Sequence, residues 1–450
     1  MINVRFNCLS SNFNKRPFLF RLLNKVWQRS YFLGTRINLD PDEMIQAAKN
    51  KSGLNDLGKD FEMEPLRRLI RSINEEANLH PMGRFITRER FISLISIRLR
   101  AEYFFKKYPE ILEQPLYPAW IIVGLQRTGT TKLQRLLATD PDHRVIPSWE
   151  VINPIPLDFK MYEEQFDQSA IRSRQSPGNG HQKIVDYIYP NPRDRRIQIA
   201  KTSVKAVKLM SPGFFAIHPI EIDEPEEDIL MLDVSFLSTT PEAMMNVPTY
   251  SNWLEQTDQS SAYAYAVKLL KFLQWIRPAK RWILKTPHHL EFPDLIEKHF
   301  GKVHFLWPHR RIYESVPSFL SMVTYNHMIF SDDVDERRIA RHWVRKTGYM
   351  LQKALDFRMK NHNEQKFTDI FYKDLISDSM GELDKIYRLD SGLTPELKLR
   401  FEKHERENPH RKYGTHQYSL ADFGLTEADI DKHTAPYQKF IAEHYGREER

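Results

Sequence analysis

Cysteine is almost missing from this chain, since Cys8 is the one such residue among 450. Without a second thiol the chain forms no intrachain disulfide, and a cysteine-based metal site is excluded. Proteins in a reducing compartment typically have no disulfides, and we therefore expect a cytoplasmic protein.

Long apolar runs are also missing. No stretch approaches the roughly 20 residues that span a bilayer. Asn24, Lys25, Gln28 and Arg29 interrupt the most apolar stretch near the start, which argues against a cleavable secretory signal. Hydrophobic residues make up 41% and charged residues 28% of the chain, as in globular proteins.

Acidic residues are absent from the first 39 positions, which hold seven Lys or Arg. Residues 18–32 mix Leu22, Leu23, Val26 and Trp27 with basic side chains, as an amphipathic helix does. This basic leader, residues 1–37, has three interpretations: a helix on a membrane surface, an organelle transit segment, or a leader docked on its own domain. We favour the third.

The remaining chain predicts an α/β fold with a P-loop-type parallel β-sheet flanked by helices. Residues 38–115 have helical spacing and form an N-terminal helical extension. Strands are predicted at 119–124, 281–285, 303–307 and 367–372, each followed by helical spacing. We expect an α/β domain over 116–430, interrupted by a helical insertion at about 158–280, and a helical tail over 431–450.

A glycine-bounded turn, Gly124 to Thr131, follows the first predicted strand and opens a helix. Backbone N–H groups and the positive end of a helix dipole at such a turn bind anions. P-loops that bind ATP carry a lysine directly after the second glycine, but this chain has Thr130 there and Arg127 earlier. This departure counts against a kinase. It suits sulfuryl transfer, because a sulfuryl group carries one fewer negative charge than a terminal phosphoryl group.

A second cluster lies at the ends of two later strands. Lys285 ends one strand and is followed by His288 and His289, and Arg310 follows another, with Ser318 eight residues on. Because the carboxyl ends of parallel strands meet at one edge, these side chains should converge on the glycine turn.

In this combination the sequence resembles the sulfotransferases that use 3′-phosphoadenosine 5′-phosphosulfate (PAPS), in particular the branch with a Gly-x-x-Arg-[Ser/Thr]-Gly-Thr-Thr loop. The resemblance covers roughly residues 40–430 and includes Trp149-Glu150, Glu226-Glu227-Asp228 and Arg411-Lys412 in the expected order.

The resemblance implies a role for each matched residue. The 5′-phosphosulfate would be held by the loop residues Gln126, Arg127, Thr128, Gly129, Thr130 and Thr131. The 3′-phosphate would be bound by Arg310, Ser318, Arg411 and Lys412, and Tyr372 would lie near the adenine. The catalytic residues would be His289 as the base that deprotonates the acceptor, Lys285 beside the sulfuryl group and Arg127 near the leaving oxygen.

Two positions depart from the wider family. Lys132 stands where cytosolic members have a tryptophan that stacks on adenine, so the adenine contact must come from Tyr372 or an aromatic residue of the insertion. Arg311 stands in place of an acid after the His-Arg pair, and is a candidate for an extra phosphate contact.

Several alternatives stay open. His288, or an acid among Glu226, Glu227 and Asp228, is a second candidate for the base, although such an acidic triplet is typical of a helix start. The competing functions are a P-loop kinase that uses ATP and a non-catalytic nucleotide-binding protein of the same fold.

The spacing of histidines supports no zinc site, so we expect no metal. The resemblance implies PAPS as the co-substrate. The basic charge lacks the aromatic interleaving of nucleic-acid binders. The aromatic insertion favours a small or lipid-like acceptor. The acceptor's identity and the oligomeric state are not determined by the sequence.

Overall fold

The protein is described here from a computed structural model. The structure describes residues 18–30, 36–116, 119–157, 194–217, 220–360, 363–390, 392–408 and 419–446. Arg411, Lys412, most of the basic leader and residues 158–193 of the insertion therefore lie outside the described residues.

Helices form the N-terminal part, as predicted. They are α1 (Phe18–Ser30), α2 (Pro41–Ser52), α3 (Met63–Glu76) and α4 (Pro81–Lys107). Asp40 begins α2, because its side chain accepts the Glu43 N–H at 2.9 Å, and Gly53 ends it in the left-handed conformation. Leu66, Leu69, Ile70 and Ile73 of α3 are buried, as their helical spacing predicts.

The sheet is parallel and has five strands in the order β2-β3-β1-β4-β5. Their bounds are β1 (Ala119–Ile122), β2 (His143–Arg144), β3 (Arg281–Lys285), β4 (Val303–His309) and β5 (Phe367–Phe371). The α/β fold predicted from the sequence is confirmed, and the two-residue β2 is an addition that no apolar run announces. Because β1 lies between β3 and β4, the chain leaves it at the point where ligands bind in open α/β sheets.

The remaining helices cover the sheet or belong to the insertion. Up to β3 they are α5 (Thr130–Leu137), α6 (Ser148–Ile152), α7 (Arg195–Met210), α8 (Pro212–Ile217), α9 (Ile229–Leu232), α10 (Thr240–Met244), α11 (Pro248–Glu255) and α12 (Ser260–Ile276). After β3 they are α13 (Pro293–Phe300), α14 (Ile312–Phe330), α15 (Glu336–Arg358), α16 (Tyr372–Ser377), α17 (Ser379–Tyr387), α18 (Pro395–Glu407) and α19 (Glu427–Tyr445).

Each face of the sheet carries its own hydrophobic core, because alternate side chains of a strand point to opposite faces. Trp120 and Ile122 of β1 pack with Leu133 and Leu137 of α5 on one face. Ile121 on the other face joins the larger core that includes the N-terminal helices. The strands are thus buried on both sides, and their carboxyl ends are held at fixed positions.

A fully buried lysine links α15 to the segment after β3. The Nζ of Lys346 lies 3.0 Å from Glu291, 3.3 Å from Glu255 and 3.7 Å from Glu242. Burial alone would lower the pKa of Lys346, but these three carboxylates raise it. Burial alone would raise the pKa of Glu242, but Lys346 and His342 lower it to about 2. Burial, the largest effect, raises the pKa of Glu291 to about 7 although Lys346 lies beside it. One cation therefore serves three acids, of which Glu242 and Glu255 have lowered pKa values.

Replacement of Lys346 by methionine should destabilise the fold strongly, because the buried carboxylates would lose their shared cation. We expect the free energy of unfolding to fall by about 3–5 kcal/mol, measured by urea denaturation at pH 7. Arg345→Met is the matched control, since Arg345 also binds Glu255 but its side chain is 39% exposed. This control should lose about 1 kcal/mol or less. Equal losses would show that Lys346 does not hold the cluster together.

Candidate active site

The turn after β1 is built by close contacts that leave no room for larger residues. A Cβ atom on Gly124 would lie 2.8 Å from Thr130 Cγ2, 2.9 Å from Thr128 Oγ1 and 3.1 Å from the Pro308 carbonyl oxygen. The Thr128 hydroxyl donates to the Leu125 carbonyl at 2.7 Å. The first glycine is therefore required for the loop to pass close to β4.

The second glycine of the loop meets an aromatic ring. Gly129 begins α5 with φ at 93°, and a Cβ atom there would lie 2.9 Å from Tyr372 Cδ2. Thr130 is buried and Thr131 is exposed in the first turn of α5. The N–H groups of this turn have no helical partner of their own, so the end of α5 is a suitable place for an anion.

Arg127 and Arg310 meet at the loop. Arg127 has a φ of 68°, and its Nε donates to the Ser318 hydroxyl at 3.1 Å. Arg310 donates from Nη1 to the Arg127 carbonyl oxygen at 2.9 Å, and its guanidinium lies 4.4 Å from the centre of the Tyr372 ring. The structure thus brings together four side chains that the resemblance assigned to one ligand, namely Arg127, Arg310, Ser318 and Tyr372. They come from three distant segments of the chain.

Glu314 is an additional member of this group that the sequence reasoning missed. Its Oε2 accepts from Nε and Nη2 of Arg310, both at 3.2 Å, and its Oε1 lies 3.5 Å from Arg311 Nη1. The spacing of four residues from Arg310 was the signal that could have revealed this pair. Arg311, the departure from the family pattern, therefore lies beside the same carboxylate as Arg310.

Lys285 ends β3 beside the loop strand, since it pairs in register with Ile122 of β1. Its side chain is buried, and its Nζ donates to Glu227 at 2.9 Å. Its backbone N–H donates to Asp228 at 2.8 Å. Glu227 and Asp228 thus reach the strand end. Asp228 also stands directly before α9, as expected of a helix start, but its side chain makes no cap hydrogen bond there.

His289 has partners at both ring nitrogens. Nε2 lies 2.8 Å from Asp228 and Nδ1 lies 3.0 Å from the Tyr263 hydroxyl. Burial alone would raise the pKa of Asp228, but the charge and hydrogen bond of His289 and the Lys285 N–H lower it. When His289 is neutral, an ionised Asp228 accepts its Nε2 proton, and Nδ1 is then the nitrogen that accepts from the Tyr263 hydroxyl.

His288 is directed elsewhere. Its Nδ1 lies 3.2 Å from Thr239 Oγ1 and its Nε2 lies 3.1 Å from Gln259 Oε1. Burial, together with the charge of His289, lowers its pKa well below the ordinary value. His288 is thus a neutral residue of the segment after β3 whose ring is hydrogen-bonded to the insertion, and among the described residues its ring nitrogens contact no carboxylate such as the one that His289 contacts.

Lys132, the other departure from the family pattern, forms an ion pair with Glu405 of α18, and Glu405 also accepts from Ser379. It therefore ties the first turn of α5 to the helix that precedes residues 409–418. Gln126 is half-buried in the loop. Arg411 and Lys412 are outside the described residues, so their expected role is not addressed by the geometry.

Comparisons with known proteins agree with this fold. Residues 118–390 match the family described as the sulfotransferase family, which is more than half of the chain. The sulfotransferase STF1 of Mycobacterium tuberculosis is 26% identical, with a TM-score of 0.72, and the match covers 88% of this chain and 99% of that one. The sulfotransferase STF9 of Mycobacterium avium has the same fold at 23% identity, with a TM-score of 0.74 and coverage of 89% and 96%. No curated protein matches the chain.

Replacement of Gly129 by alanine should destabilise the protein by two effects, the left-handed backbone and the contact with Tyr372. We expect a loss of about 2–3 kcal/mol in the free energy of unfolding, measured by urea denaturation. Gly53→Ala is the matched control, because Gly53 has φ at 70° with nothing within 4 Å of an added Cβ. It should lose only about 1 kcal/mol. If both variants lose the same amount, the Tyr372 ring does not constrain the turn.

Proposed function

Because this chain belongs to the sulfotransferase family, we propose that it transfers a sulfuryl group from PAPS to a hydroxyl or amine of a small or lipid-like acceptor. One observation carries the proposal. The donors that could bind an anion all belong to the loop after β1 or to the segments directly beside it. They are the N–H groups at the start of α5, Arg127, Arg310 with Ser318, and Lys285 at the end of β3. Such a set of donors suits a ligand with phosphate or sulfate groups at two positions.

The donor's phosphate ends are assigned to two groups of residues. Residues 126–131 would hold the 5′-phosphosulfate through backbone N–H groups and Arg127. Arg310 and Ser318 would bind the 3′-phosphate, with Arg411 and Lys412 joining from the loop before α19. Tyr372 would contact the adenosine part, since its ring already lies between Gly129 and Arg310.

Two observations on Gly129 and Arg310 support the binding of an anion at this loop. A Cβ atom at Gly129 would lie too close to Tyr372, so the turn can pass beside that ring only because the residue is glycine. Arg310 already has a carboxylate, Glu314, as partner. A phosphate could take the place of that carboxylate, because both present oxygen atoms to the same guanidinium donors.

Catalysis would use the groups at the end of β3. PAPS supplies an activated sulfuryl group, and Lys285 is the cation that would stabilise charge beside it. Glu227 keeps Lys285 in place at 2.9 Å. We assign the base to His289, because Asp228 fixes its tautomer and leaves Nδ1 unprotonated. The acceptor hydroxyl would replace Tyr263 at Nδ1, or pass its proton through the Tyr263 hydroxyl.

Backbone amides and these cations can stabilise the transition state of sulfuryl transfer without a bound metal, because the transferred group carries less charge than a phosphoryl group.

The direct test of the proposed function is incubation of the full chain with sulfur-labelled PAPS and a panel of phenols, alcohols, amines and carbohydrates, without added metal. We expect labelled product with at least one acceptor. Tight binding of adenosine 3′,5′-bisphosphate without transfer to any acceptor would instead favour the non-catalytic alternative, and turnover with ATP and Mg²⁺ would favour a kinase.

Arg310→Ala should weaken binding of adenosine 3′,5′-bisphosphate about 10- to 100-fold, because a charge-assisted phosphate contact would be lost. Isothermal titration calorimetry measures this directly. Glu314→Gln is the matched control, since it removes a charge that contacts Arg310 and leaves Arg310 intact. The binding of adenosine 3′,5′-bisphosphate by this variant should be equal to or tighter than that of the wild type. Unchanged binding in both Arg310→Ala and Ser318→Ala would refute the 3′-phosphate assignment.

His289→Gln should lower kcat about 10²- to 10⁴-fold, because general base catalysis would be lost. Its affinity for adenosine 3′,5′-bisphosphate should remain that of the wild type, since His289 contacts the insertion and none of the loop residues. Steady-state rates with the best acceptor and calorimetry together give both quantities. If His289→Gln keeps full turnover, the base lies elsewhere, and Glu227→Gln and His288→Gln then test the remaining candidates.

A further inference from the structure

One side of helix α1 is docked on the protein. Phe20 is buried with its ring 5.9 Å from that of His80, and the side chain of Asn24 accepts the Met82 N–H at 3.1 Å. Trp27 lies with its ring 6.0 Å from that of Phe85. These residues follow helical spacing, so they define a single docked face directed at the start of α4.

The opposite side of α1 faces solvent and is apolar, although the solvent-facing side of a surface helix is usually polar. Leu22 is 44%, Leu23 is 48% and Val26 is 58% exposed, and Phe85, which contacts Trp27, is 42% exposed. Among the described residues nine large hydrophobic side chains are exposed, and four of the nine belong to this corner. A helix that only covers its own domain would bury such side chains against that domain. This outer surface therefore suits contact with a second apolar medium outside the domain.

A row of cations runs beside the apolar side chains. Arg21, Lys25 and Arg29 are four residues apart and therefore lie one above another on the helix, next to the row of Leu22 and Val26. The helix contains no acid, and neither does any position before Asp40. The long side chains of Lys and Arg can extend from the level of the apolar row toward anionic groups.

A second basic helix without acids, α7, belongs to the same part of the molecule. Lys201, Lys205 and Lys208 are exposed along it, and Leu209 near its end is 68% exposed. Positive charge of this kind without compensating acids produces a field that attracts an anionic surface.

Helix α14 connects the two basic helices. Gly213, just after α7, packs against the Tyr325 ring, while the N–H of His80, the residue against which α1 docks, donates to the Phe330 carbonyl at 3.1 Å. Tyr325 and Phe330 are only about 7.5 Å apart along α14. The segments that border the two helices thus both contact the carboxyl-terminal part of α14.

We propose that this corner, the outer face of α1 with Phe85, binds the surface of an anionic lipid membrane. Leu22, Leu23 and Val26 would enter the boundary between headgroups and acyl chains, and Lys25 and Arg29 would lie at the phosphate level. An apolar strip with a cationic row beside it matches a bilayer surface, whereas an apolar protein partner would leave the cations without a complement. No helix within the described parts of the chain has the length and apolar composition for crossing a bilayer, so the contact would be superficial.

The inference is independent of the chemistry proposed above, because it concerns binding and needs no nucleotide. It adds a location to that function, since a lipid-like acceptor dissolved in the bilayer would be concentrated beside the enzyme.

The experiment is cosedimentation of the full chain with sucrose-loaded vesicles of phosphatidylcholine alone or with 30% phosphatidylglycerol. We expect binding to the anionic vesicles and at least about tenfold weaker binding to the neutral ones. Lys25→Glu with Arg29→Glu should weaken binding to anionic vesicles about 25-fold or more, because each of the two basic residues contributes about fivefold near such a surface. Leu22→Glu with Val26→Glu should weaken it similarly, because the apolar contribution would be lost.

Matched controls carry the same changes on other surfaces. Lys353→Glu with Lys398→Glu alters the net charge equally, and Met359→Glu with Leu399→Glu replaces side chains that are 55% and 64% exposed elsewhere. These controls should bind vesicles within about twofold of the wild type. Unchanged thermal unfolding and unchanged binding of adenosine 3′,5′-bisphosphate would show that all variants are folded.

Equal binding to neutral and anionic vesicles, or wild-type binding by the Lys25→Glu, Arg29→Glu variant, would overturn the proposal. So would a concentration-dependent dimer in sedimentation velocity that Leu22→Glu with Val26→Glu abolishes, since the face would then join two copies. Vesicle binding without any nucleotide binding would refute the proposed function and leave this inference standing. Nucleotide binding without vesicle binding would refute this inference and leave the proposed function standing.

Discussion

The close approach of three chain segments at the end of β1 is the constraint on which the site depends. The Gly124 backbone passes against the Pro308 carbonyl of β4, and Gly129 passes against the Tyr372 ring after β5. The loop therefore has little freedom to move relative to the neighbouring strand ends. Backbone N–H groups at the start of α5 are held open toward one point, which is the preorganisation that anion binding requires.

Charged side chains around the loop are already partnered, and this gives the site a defined shape. Arg310 has Glu314 and the Arg127 carbonyl, Lys285 has Glu227, and His289 has Asp228. A ligand would exchange one set of charge-assisted contacts for another rather than recruit unpaired cations. Selectivity then depends on geometry more than on total charge, because an anion must match the positions of the donors to replace their present partners.

The helical insertion supports this arrangement from behind. It delivers Asp228 and Tyr263 to the two nitrogens of His289, and its Glu255 joins Glu291 around Lys346. His289, Asp228 and Lys346 thus each have a partner of opposite charge or a hydrogen bond. Because breaking a buried pair leaves an uncompensated charge, these contacts resist movement and fix the end of β3.

The sequence by itself determined the sheet and the loop, because buried strands require apolar β-branched runs such as 119–122 and the turn requires glycine at 124 and 129. These are local requirements, and local composition reveals them. It also determined that Arg127 and Arg310 would meet, because parallel strands end at one edge. Only the tertiary structure decided that Asp228 binds His289, since residues 61 positions apart have no shared period or spacing to connect them. The apolar side of α1 was decided in the same way, because an amphipathic pattern does not say which face will dock and which will remain exposed.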